Sequence, residues 1–131
     1  MRNKIKSSGI LFNKNGVSIL PHIQLLNVDP NDSRDVTLHV IDWGNAATLQ
    51  TNPVGTLLNF SGTIPPNTRR SFVTEVLGGH HYEIRVTYDG DDFSINTFAL
   101  PFVFGPPDPS LLGWLEGFTV LNNEFFKIEL D

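Results

Sequence analysis

The stretch that most constrains this chain is residues 82–100, YEIRVTYDGDDFSINTFAL. Tyr82, Ile84, Val86 and Tyr88 alternate with Glu83, Arg85 and Thr87. A period of two places the large side chains on one face of a strand and the polar ones on the other. Asp89-Gly90 then supplies a turn, because glycine has no Cβ to oppose positive φ and aspartate tolerates it. Phe93, Ile95 and Thr97 resume the alternation. The expectation is a β-hairpin from Tyr82 to Leu100. A loop at 89–90 sets Val86 opposite Phe93; a loop at 89–92 sets Tyr88 opposite Phe93. The two registers differ by an even step, so both keep the same side chains on the same face.

The same alternation recurs along the chain. Ile10–Phe12 and Val17–Leu20 flank Asn13-Lys14-Asn15-Gly16, whose Asn-Gly pair predicts a hairpin. Pro21 suits an edge strand or a bulge before a strand over 22–27. Residues 36–43, VTLHVIDW, carry large apolar groups on both faces towards their end, as a central strand does. Strands are also expected over 57–64 and 70–77, with Pro65-Pro66-Asn67 carrying the chain from one sheet to the other. A last hairpin over 117–130 would turn at Asn122-Asn123. Nine Pro and eleven Gly interrupt the chain, and no apolar i, i+3, i+4, i+7 pattern is sustained. Eight or nine strands at spacings of about ten residues predict an all-β antiparallel sandwich.

Gly78-Gly79-His80-His81 leads into Tyr82. That resembles the tyrosine corner of immunoglobulin- and fibronectin-like sandwiches, in which the hydroxyl bonds back to an upstream backbone group. The immunoglobulin/fibronectin-like type is therefore the leading expectation, and a jelly roll the alternative. At 131 residues the chain is expected to be one domain over 9–131, preceded by a flexible basic arm over 1–8.

Charge is unevenly spread. Arg2, Lys4, Lys6 and Lys14 are basic with no acid among the first fourteen residues, while all fourteen acids fall in the rest. An acidic body argues against nucleic acid as a partner, since that affinity rests on Lys and Arg. Ile10-Leu11-Phe12 is too short for the apolar centre of a signal peptide. No stretch approaches the roughly 18 apolar residues of a membrane helix. Neither classical secretion nor a membrane anchor is expected. There are no cysteines, which excludes disulfides, thiolate metal sites and a cysteine nucleophile.

Residues that could carry chemistry are few. His80 and His81 could ligate a metal, but neighbours on a strand point to opposite faces and no third ligand is evident. Asp89, Asp91 and Asp92 form one acidic loop, and Asp29, Asn31, Asp32 and Asp35 another. Neither follows the EF-hand spacing, so turn chemistry and solvation are the plainer readings. Glu75 and Glu83 invite a paired-carboxylate reading, but glutamates facing solvent opposite Arg70 or Arg85 are expected. No nucleophile elbow or phosphate-cradling loop occurs. Trp43 and Trp114 could floor a carbohydrate site. No catalytic, cofactor-binding or metal-ligating residue is assigned, and no enzyme activity or cofactor is expected.

The segments VTLHVIDW, GTIPPNTRRSF, HHYEIRV and FSINTFAL, over residues 36–100, resemble small sandwich proteins of spore-forming Gram-positive bacteria. The resemblance implies a spore-surface or surface-fibre component, made in the cytoplasm and deposited on a spore or particle. It implies a self-associating structural protein whose partners are further copies or a surface layer. The lack of cysteine departs from the fibre-forming members and leaves non-covalent packing. A carbohydrate-binding module is the alternative expectation.

Overall fold

The computed structural model describes residues 4–90, 93–101 and 119–128. Nine strands form two antiparallel sheets. They are β1 (Lys4–Ser7), β2 (Leu11–Phe12), β3 (Ile19–Asn27), β4 (Arg34–Gly44), β5 (Gly55–Ile64), β6 (Thr68–Val73), β7 (His81–Tyr88), β8 (Phe93–Pro101) and β9 (Phe126–Ile128). The larger sheet has the order β5-β4-β7-β1-β9, with β2 also beside β7. The smaller has the order β6-β3-β8. The chain is an all-β antiparallel sandwich.

The core follows from the alternation. Ile23 and Leu25 of β3, Leu38 and Val40 of β4, Ile84 and Val86 of β7, and Ile95 of β8 are completely buried. Each such side chain contributes about 1.5–3 kcal/mol relative to leaving it in water. β4, expected to be central, lies between β5 and β7.

The expected hairpin over 82–100 does not form. The alternating residues face the core as expected, but β7 pairs with β4, β1 and β2 while β8 pairs with β3. Asp89-Gly90 therefore begins an arch between sheets. Gly90 adopts φ +78°, and the Arg34 guanidinium packs where a Cβ would stand. The expected hairpin at Asn13–Gly16 is also a crossing, since β2 lies in the larger sheet and β3 in the smaller. The third is a crossing as well. Val120 bridges Thr97 of β8, a short 3-10 turn covers Asn122–Glu124, and β9 then joins β1 in the other sheet. Each pattern specified which side faces the core. It did not specify whether the partner was the adjacent strand or the opposite sheet.

Pro65-Pro66-Asn67 does carry the chain between sheets, with Asn67 at φ 55°. Among the described strands only β4 and β5 are both consecutive and paired. Around that pair β3 and β6 are nested in the smaller sheet, and β2 and β1 with β7 in the larger. This nesting is the connectivity of a jelly roll. In the immunoglobulin arrangement the last two strands share a sheet, whereas the last two described here, β8 and β9, do not.

Two further corrections concern the start of the chain. Lys4–Ser7, expected in a mobile arm, form β1 between β7 and β9. β1 and β2 are one interrupted strand along β7, broken at Ser8-Gly9-Ile10, where Gly9 takes φ 73°. Pro21 is not on an edge; it lies in the central strand β3. It is tolerated there because β6 ends opposite His22, and the Pro21 carbonyl turns to Thr74 instead. The missing N–H thus falls beyond the end of the ladder.

Two buried asparagines fasten the crossings. The Asn13 side-chain nitrogen donates to the carbonyls of Val17, Val76 and Leu77 at 3.0–3.1 Å, and its oxygen accepts the Asn15 N–H. At the other end of β3, Asn27 donates to the carbonyls of Asp32, Ile64 and Pro65, and its oxygen accepts the Asp29 N–H. Apart from Val76, whose carbonyl also accepts the Ile19 N–H at 2.9 Å, these carbonyls lie in irregular segments or at a strand end, where no ladder partner is assured.

Candidate functional site

On the outer face of the larger sheet, β4 and β7 place Trp43, Glu83 and His81 close together. Glu83 stands opposite Ile41 in the register, so both point away from the core. It is nevertheless only 4% exposed. Trp43 Nε1 donates to one carboxylate oxygen at 2.9 Å, and Ser7 Oγ and Arg85 Nε donate to the other at 2.5 and 2.7 Å. Burial raises the Glu83 pKa, but the hydrogen bonds from Arg85, Ser7 and Trp43, with the Arg85 charge, outweigh it and hold the group below its ordinary value. The expected solvent-facing glutamate is instead a buried anchor. Its partner Ser7 comes from the segment expected to be a free arm, so nothing near Glu83 in the chain marks the contact.

His81 is held by two contacts. Its Nδ1 meets the Gly44 carbonyl at 3.0 Å, and its ring stacks on Phe12 at 4.5 Å between centroids. A carbonyl can only accept, so Nδ1 carries a proton and Nε2 is left free. His80 turns elsewhere, with Nδ1 at 3.1 and 3.3 Å from the two oxygens of Asp42. The two histidines therefore do not converge. Glu75 is exposed and outside any strand, away from the ladder that holds Glu83.

Beside Trp43 and His81 the loop after β4 encloses a concavity of about 290 Å³. Ile10, Ala47, Thr48 and Gln50 complete most of its wall. The loop is closed by Val54 N–H donating to the Asp42 carbonyl at 2.9 Å. A second, larger concavity of about 400 Å³ lies towards the other end of the same face. Some of its polar groups are engaged within it: the Thr37 and Ser61 hydroxyls are 3.0 Å apart, and Thr63 donates to the Asp35 carboxylate at 2.8 Å.

The acidic loops serve the fold. Asp29 accepts the N–H groups of Asn31 and Asp32 at 2.8 and 3.1 Å and pairs with Arg34. Those backbone donors, Asn31 first, lower its pKa against the effect of burial, with Arg34 adding to the shift. Asp89 accepts the Asp35 N–H at 3.0 Å. Asp91, Asp92 and Trp114 lie outside the described residues. Among the described residues no group of three or more His, Asp or Glu is placed to hold a metal ion. No described helix is long and apolar enough to cross a membrane.

The tyrosine-corner expectation fails at its hydrogen bond. Tyr82 is completely buried, and its hydroxyl has no partner among the described residues. Burial pushes the phenol pKa well up.

The sheet edges differ in their protection. β6 carries Arg69 and Arg70, β9 is three residues long with Lys127, and Val120 covers β8 at Thr97. β5, by contrast, runs ten residues, GTLLNFSGTI, without a charge or an internal proline. Among the described residues β4 is its sole strand partner. Leu57, without a partner at the irregularity beside Val40, has its carbonyl met by the Thr74 hydroxyl at 3.5 Å. No protein-family model matches the chain, and neither a curated protein nor a solved structure was found to be similar to it.

Proposed function

We propose that this chain is a non-enzymatic structural protein that self-associates, as a component of a layer on a spore or particle surface. The observation that supports this reading is β5. An edge strand presents unpaired N–H and C=O groups, and folded proteins ordinarily blunt such an edge with charge, proline or brevity. β5 has no charge of its own, no internal proline and no brevity, and its one interruption is the bulge at Leu57, whereas β6 carries two arginines and β9 is short and carries a lysine. A second copy is the fitting partner. Two identical strands pair antiparallel about a twofold axis, and an uncharged strand meets no like charge in doing so.

Light scattering on the full chain across a concentration series tests the reading. Asn59 and Ser61 are exposed on β5, so the double substitution Asn59→Lys, Ser61→Lys leaves the core untouched. The wild-type chain is expected to form a discrete oligomer or filament, and the double variant a monomer. A wild-type monomer at every concentration, or an oligomer indifferent to the lysines, would overturn the reading.

A further inference from the structure

We infer that the concavity beside Trp43 is a binding site for one neutral sugar unit, a hexose or an N-acetylhexosamine. This inference rests on residues apart from β5 and is independent of self-association.

Three observations lead to it. The first is the way two aromatic rings are fixed. Trp43 is on the outer face of a sheet, where its indole N–H would be satisfied by water at no cost. Instead it is held by a carboxylate that is itself buried and bound by two further donors. His81 is fixed from two sides by Gly44 and Phe12. Rings held by surrounding partners are how a protein prepares a recognition surface before the ligand arrives.

The second is the chemistry of the wall. Ile10, Trp43, Ala47, Thr48, Gln50 and His81 include no permanently charged side chain. Glu83 is nearby, but its charge is spent on Ser7, Trp43 and Arg85. An anionic ligand finds no cation there and a cationic one finds no free carboxylate. The wall instead pairs apolar faces with scattered hydrogen-bonding groups: the free Nε2 of His81, the Thr48 hydroxyl and the amide oxygen of Gln50, whose nitrogen donates to the Asn52 carbonyl. A pyranose has that same division, with C–H groups on its faces and hydroxyls around its rim.

The third is size. About 290 Å³ is at the lower end of small-molecule sites, room for a single ring. An extended chain of sugars would have to leave through the open side of the depression.

The test follows the indole N–H resonances of the ¹⁵N-labelled full chain. Two tryptophans give two signals, and Trp43→Phe identifies the one that matters. Galactose, N-acetylglucosamine and rhamnose are titrated separately, with glucuronate as a charged comparison. The Trp43 signal is expected to move saturably with at least one neutral sugar, at a Kd of about 1–10 mM, a usual range for one exposed ring. Ala47→Leu, a change in an exposed loop, is expected to fill the depression and weaken that binding at least tenfold. Absence of a saturable shift with all three sugars would overturn the inference. So would unchanged affinity in Ala47→Leu, or tighter binding of glucuronate than of the neutral sugars.

Discussion

Tyr88 and Phe93 lie face to face, with ring centroids 5.2 Å apart and planes inclined by 17°, yet they belong to opposite sheets. Five positions separate them in sequence. Their stack closes the arch that begins at Asp89-Gly90 and spans the gap a hairpin would have filled with hydrogen bonds. Lys6 adds a cation 5.7 Å from the Tyr88 ring centroid. Phe93→Ala is expected to destabilise the fold by about 3–5 kcal/mol, as deletion of a buried Phe does. A double-mutant cycle with Tyr88→Ala should return a coupling of about 0.5–1.5 kcal/mol, the strength of an aromatic pair beyond its area. Chemical denaturation of the four proteins measures it, and additive effects would show that the stack contributes nothing beyond burial.

Tyr82 offers a test with the opposite sign. Its hydroxyl is buried without a partner among the described residues, so removing it removes a desolvated dipole and no hydrogen bond. Tyr82→Phe is expected to be neutral, or to stabilise by about 1 kcal/mol. A tyrosine corner predicts a loss instead. Thermal melting of the two proteins side by side decides between them.

The pH dependence of stability should report Glu83. Its pKa is lowered in the folded state, so as pH falls the unfolded chain takes up the proton first. The stabilisation is complete above the ordinary carboxylate range and is lost as pH falls through the lowered folded value. Glu83→Gln keeps the shape but loses the charge, and is expected to cost about 1–3 kcal/mol near neutrality. Urea unfolding of both proteins over a pH series should give curves that converge in acid. A gap that persists undiminished to about pH 2 would exclude Glu83 as its source.

The two asparagine clamps should behave alike despite lying in unrelated crossings. Asn13→Ala removes a donor from the Val17 and Leu77 carbonyls and Asn27→Ala from those of Asp32, Ile64 and Pro65, and each is expected to cost about 2–3 kcal/mol. Replacement by Asp should cost more at both sites, because an acceptor would then face three acceptors. Equilibrium unfolding gives the values; an Asp variant as stable as the wild type at either site would contradict this account of the clamp.

The sequence made the inward faces readable because alternation is a local property. Ile84, Val86 and Ile95 could be placed in the core without knowing any strand order. Pairing is not local. Asp89-Gly90 is the same dipeptide whether the next strand turns back beside the last or crosses to the other sheet, and the outcome depends on β4 and β3, which lie 45 to 70 residues upstream. The Trp43–Glu83 contact was hidden for a related reason. Trp43 stood out by residue type, but Glu83 is buried because Ser7, from the start of the chain, lies against it. The Asn13 clamp left only a polar residue inside what looked like a turn.

The position of β1 also constrains the order in which the chain can fold. The β4–β5 hairpin joins neighbouring segments and can form within microseconds of both being available. β1 precedes every other strand described, yet its partners are β7 and β9. Its place between them is complete only after residue 128 has been made. Until β7 has been made the hydroxyls of Ser7 and Ser8 lack their partners Glu83 and Ile84, and the carboxylate that fixes Trp43 does not yet exist. The Trp43 surface can thus be assembled as soon as β7 docks between β4 and β1, whereas the larger sheet is complete only when β9 closes on β1.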